Sequence, residues 1–155
     1  MEISKRNADS LVRSATQAVS AAARDQTYTA NADILKGVMW NSTLDGRTTL
    51  ECAARDGLLY TVEGKEPIDH NLPWGGGAGN LHWGCRSTST PVTKSFRELG
   101  IDIDDLPPGK RASIDGQVPS DTKFEGWLSR QSKARQDMLD QNGRELTLKE
   151  LRARI

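Results

Sequence analysis

Cysteine and histidine are scarce in this chain, two of each in 155 residues. Two cysteines do not make a disulfide framework, so a reducing compartment is the default and both thiols are open to metal or to chemistry. Long apolar runs are missing. None approaches the ~20 residues that span a bilayer, and the opening MEISKRNADS has no apolar signal core, which argues against secretion. Neither sign of charge is in excess. The 21 basic side chains balance 21 acidic ones and the isoelectric point is near 6.7. No overall field therefore draws the chain to nucleic acid or to an anionic membrane, and a basic patch would have to be assembled by the fold. Apolar residues make up 35% and mean hydropathy is -0.62. The length suffices for one compact core, but this lean composition favours surface buried against partner chains.

What is present reads as α+β: a small antiparallel sheet with a long N-terminal helix and a helical C-terminal extension. Ala8, Leu11, Val12, Ala15, Ala18, Val19 and Ala22 recur at three- and four-residue steps and predict a helix over 4–25. Its stripe is mostly alanine, which permits close approach but buries little area per residue. That suits docking onto a partner as well as onto the domain's own core. Strands are expected at 36–43, with Val38 and Trp40 on one face, at 58–64 and at 86–92. A helix capped by Asp45 or Thr43 runs to about Arg55, with Gly57 as its stop. Residues 64–84 read as a long glycine-rich loop, uncommon in a compact domain unless functional or pinned. A short helix over 94–99 and a turn-rich, extended stretch to 121 follow. The rest reads as helices: one capped by Ser120 or Asp121 that carries Phe124, Trp127 and Leu128, one closed by Asn142-Gly143, and one begun by Thr147 and Glu150 as a capping box. Residues 1–92 form the expected domain, 93–120 an extended linker, and 121–155 the helical extension.

Every cysteine and histidine lies in one third of the chain. His82-x-x-Cys85 is a spacing at which one tight turn directs two ligands to one ion, with Cys52 a third and His70 a fourth. A Cys2His2 set suits tetrahedral zinc, and a metal would explain how a long glycine-rich loop is held. The same residues also fit a Cys/His nucleophile pair or simple buried packing. PWGGGAG is followed by no Gly-Lys-Ser/Thr and fits no dinucleotide fingerprint. In STLDGRT, Asp45 and Arg47 flank a glycine among hydroxyls that include Thr48. They read as a cap with an ion pair, or as a lock reaching across to the Cys/His turn and Arg86.

Taken together, Trp40, Thr43, Asp45, Arg47 and Thr48, then Cys52, then His82, Cys85 and Arg86 make a pattern over residues 8–92. It resembles the head-morphogenesis domain of tailed bacteriophages, the Mu F-like minor capsid proteins. Thr49 and Ser87 stand where members of that family often carry further cysteines. The resemblance leaves Cys52, His82 and Cys85 as metal ligands, with His70 or a carboxylate such as Asp45 as the fourth. It implies a structural virion protein and no enzyme, present in few copies in the phage head and assembled in the host cytoplasm. Its partners would be portal and head proteins, with packaged DNA a further contact. The competing expectations are a metal- or Cys-dependent hydrolase using Asp45, Cys52, His82 and Cys85, and a DNA-associating virion module.

Overall fold

The computed structural model describes residues 4–138. The expected helices that close at Gly143 and begin at Thr147 therefore end or lie outside the described residues. The architecture is mixed helix and sheet, with a long first helix, a four-stranded antiparallel sheet and short C-terminal helices.

Helix α1 spans Lys5–Ala30, longer than expected, and starts where the Ser4 side chain accepts the Asn7 N–H. Its apolar stripe does not face the domain. Leu11, Val12 and Val19 are 52%, 63% and 70% exposed, whereas Ala21 and Tyr28 are buried. The inward face is polar and small because of what it meets. Gln17 Nε2 donates to Ser87 O at 3.2 Å and Tyr28 OH donates to Ser89 O at 3.0 Å. Carbonyls along that margin of the sheet need donors, and α1 supplies them from side chains.

The strands are β1 (Leu35–Asn41), β2 (Leu59–Tyr60), β3 (Pro67–Ile68) and β4 (Thr88–Thr93), in the order β3-β2-β1-β4. Val38 and Trp40 alternate into the core and are fully buried, as their spacing predicts. Between them and Leu35, Gly37 marks a register shift against β4. A Cβ at Gly37 would sit 2.6 Å from Tyr60 O, so only glycine allows β2 to approach there. Helix α2 (Leu50–Arg55) is capped by Thr49 rather than by Asp45 or Thr43, because the Thr49 hydroxyl faces Cys52 N. Gly57, at φ 76°, ends it as expected.

The 64–84 segment contains β3 and is pinned by aromatics. Trp74 meets Trp40 edge-on at 5.1 Å and Tyr60 at 4.8 Å. One core cluster gathers Tyr28, Val38, Trp40, Cys52, Tyr60 and Cys85; a second joins Leu44, Ala53 and Ala54 to Phe124 and Trp127.

The stretch after β4 differs from expectation. Residues 96–99 form a turn: Ser95 and Glu98 exchange the hydrogen bonds of a capping box, but Gly100, at φ 80°, closes the segment before a second turn can form. The supposedly extended stretch holds a hairpin, β5 (Lys110–Ser113) with β6 (Gly116–Pro119), and Ile114 N donates to Leu44 O at 3.1 Å. Helix α3 (Phe124–Leu128) then packs Phe124 and Trp127 against α2, and α4 spans Lys133–Met138.

Candidate metal centre

Two separate pieces of chain build the centre. Helix α2 presents Cys52 from its first turn, and the turn before β4 presents His82 and Cys85. Cys52 Sγ lies 3.3 Å from His82 Nε2 and 3.7 Å from Cys85 Sγ. The three donor atoms all fall within 4.8 Å of one another, with both thiols buried and His82 partly so. Among the described residues, this is the one Cys/His/carboxylate group that could hold a metal ion.

The donors are poised chemically. His82 Nδ1 is 3.0 Å from Trp83 O. Donating Nδ1–H to that carbonyl leaves Nε2 with its lone pair, aimed at Cys52 Sγ and at Thr49 Oγ1, 3.0 Å away. The contact with Cys52, reinforced by backbone N–H groups of Ser87, Gly79 and Leu81, lowers the pKa of the Cys85 thiol despite its burial. Cys52 is pushed up by the same partner and by burial. A cation would displace the thiol protons as it binds. Gly79 sits at φ +101° with the space of its missing Cβ lined by Gln17 Cγ and Ser87 O, so glycine is what lets this backbone reach the sulfur.

His70 does not join the group, and its expected role as fourth ligand is corrected. Its Nε2 faces Leu59 O at 2.9 Å, its Nδ1 accepts Leu72 N–H at 3.2 Å, and its ring stands edge-on to Tyr60. Both nitrogens are occupied in pinning the loop to β2. Asp45 is also outside the group, since it is committed to Arg86.

That pairing forms the expected lock. Arg86 grips Asp45 with both terminal nitrogens, at 2.5 and 2.7 Å. Asp45 Oδ1 also accepts Arg47 N–H, Thr48 Oγ1 donates to Thr43 O, and Thr43 Oγ1 donates to Arg86 O. The hydrogen bonds from Arg86 hold the Asp45 carboxyl below the usual range, against burial and with help from the Arg47 amide. The Arg47 guanidinium makes no hydrogen bond in the lock and acts on Asp45 only through its charge.

Sequence reasoning missed a second and deeper lock. Asp56, whose side chain is fully buried, accepts both Arg111 terminal nitrogens at 3.0 Å, Ser42 N–H at 2.6 Å and Phe124 N–H at 2.6 Å. Arg111 also donates to Ser42 O and Thr122 O. Nothing in the local spacing points to it. An aspartate at a helix C-terminus, where its charge is unfavourable, was the one available signal.

Compared with protein-family models, curated proteins and solved structures, the chain matches none.

Proposed function

We propose that the chain is a structural head-morphogenesis protein of a tailed phage, working in the virion through contacts with portal or head proteins, with zinc stapling its fold. The observation that carries this reading is the outward stripe of α1. A 26-residue helix with Leu11, Val12 and Val19 exposed, docked through its polar side, leaves apolar surface free for another chain. The Cys/His centre supports the resemblance in detail. Thr49 and Ser87, the positions where Mu F-like proteins often carry extra cysteines, both border the small cavity beside Cys52, and Thr49 Oγ1 accepts the Cys52 N–H at 3.5 Å.

Cys52, His82 and Cys85 offer two sulfurs and one nitrogen, a donor set that suits zinc. The ion would tie α2 to the turn before β4, with the Thr49 hydroxyl 3.0 Å from His82 Nε2. The cavity beside the donors is about 20 Å³, room for a water-sized group rather than a substrate. That supports a staple over a hydrolytic centre. No helix among the described residues is long and apolar enough to cross a membrane.

The test is co-expression with the portal protein of the same phage, followed by purification in high salt. Co-purification that survives salt and is lost in a Val12→Glu/Val19→Glu variant with unchanged melting supports the role. A wild-type chain that never associates with portal or head proteins overturns it.

A further inference from the structure

Arginine-lined ground next to the metal centre is used by neither lock. A cavity of about 700 Å³ opens between the N-terminal half of α1 and the turn that carries Cys85. Arg6 and Arg13 line its helical wall and Arg47 its opposite side. Among the described residues, none of these three guanidiniums makes a hydrogen bond or ion pair. Arg86 also borders the cavity, but Asp45 neutralises it.

The walls are fixed before any ligand arrives. Gly84 N donates to Ser14 Oγ at 3.0 Å and Gln17 holds Ser87 O, so helix and turn are tied along the cavity floor. The Arg47 backbone is held by Asp45 Oδ1 at 2.9 Å. Arg6 and Arg13 lie seven residues apart, hence on one helix face and about 10 Å apart along the axis. Acidic residues two or four positions apart on an extended strand share a face and lie about 7 or about 13 Å apart, which brackets that spacing. Three unpaired guanidinium forks facing one cleft are suited to carboxylates, which they bind in bidentate fashion.

We infer that this cleft is a docking site for an acidic, extended segment of a partner protein. Two features favour a peptide over nucleic acid. Val12 gives the cleft an apolar flank that a peptide side chain can cover, and Asp9 in the same wall limits how many anionic groups fit there. The chain also carries no net charge to hold a polyanion outside the cleft.

The test uses the whole chain, a fluorescein-labelled polyglutamate peptide and, separately, a labelled short DNA duplex, read by fluorescence anisotropy at low salt. The peptide is expected to bind, and an Arg13→Ala/Arg47→Ala variant to weaken it by about tenfold or more. Arg97→Ala, which removes an exposed arginine elsewhere, is expected to change nothing. Unaltered melting of both variants shows that the fold is kept. Absence of peptide binding, equal loss in Arg97→Ala, or tighter binding of the duplex through the same arginines would each overturn the inference. None of these outcomes depends on whether portal proteins associate with the chain.

Discussion

Asp56 and Arg111, 55 positions apart, face each other as a paired carboxylate and guanidinium at the junction of α2, the β5–β6 hairpin and α3. The carboxylate has no exposure at all and its oxygens are filled by two guanidinium nitrogens and two backbone amides. The hairpin and α3 are thus anchored to the sheet domain by a buried charge pair.

Removing one partner strands the other in a low-dielectric site, so Arg111→Ala is expected to cost about 3–5 kcal/mol. Arg111→Lys should recover little of it, because an ammonium cannot serve both carboxylate oxygens and two carbonyls from one position. Urea unfolding of the three proteins measures this, and a loss under about 1 kcal/mol for the alanine variant would exclude a stabilising role for the pair.

Purified protein is expected to hold one equivalent of zinc, and chelation to lower its melting temperature. Cys85→Ser and His82→Ala should lose the metal. His70→Ala should keep the metal while losing stability, because its ring and both nitrogens serve β2 and the loop. Elemental analysis alongside calorimetry separates the two effects. Metal lost from His70→Ala with the other variants intact would show that the ligand set is wrong.

Thr49 offers a gain-of-function counterpart. Its hydroxyl is 3.0 Å from His82 Nε2 and lines the small cavity beside the donors. Thr49→Cys is expected to add a thiolate and to tighten zinc binding by about tenfold or more, within the range over which ligand-shell changes act. Competition against a chromogenic chelator reads the change. Weaker binding would mean that the fourth position points elsewhere.

The Asp45–Arg86 pair predicts a pH dependence. Its folded carboxyl titrates below the ordinary aspartate value near 3.8, so its stabilisation is present above that value and is lost as pH falls through the lower folded one. The stability gap between wild type and Asp45→Asn should be flat from neutral pH down to about 4 and shrink below it. A gap that does not vary with pH would remove the charged pair from the account.

On α1 the expectation inverts the usual reading of an amphipathic helix. Val19→Glu changes an exposed stripe and should leave stability within about 0.5 kcal/mol. Ala21→Leu adds volume where the helix is buried and should cost about 1–3 kcal/mol. Paired melts decide which face is inside.

The legible parts of this fold share a physical origin. Val38 and Trp40 alternate with the period of a strand, Gly57 supplies a positive φ, and His82 and Cys85 lie within one turn, so each signal is local. The same holds for Asp45 and Arg47, whose loop geometry brought Arg86 into view. Errors arose where a local signal was overridden by a distant partner. Periodicity found the α1 stripe but could not assign it to solvent, because the inward side is chosen by carbonyls 61 and 70 residues away. His70 lay near the cluster in sequence, yet β2 turned it toward Tyr60. Arg111 had no signal at all, since its carboxylate, carbonyls and amides come from three other segments.

The two bonds from Ser14 and Gln17 to the Cys85 turn join the resting place of the helix to the shape of the ion site. If the centre holds an ion and α1 docks a partner as proposed, a partner that shifts α1 would change ion affinity, and ion loss would change that partner's affinity by the same factor. Docking and ion retention would then be coupled, each to be measured with the other held fixed.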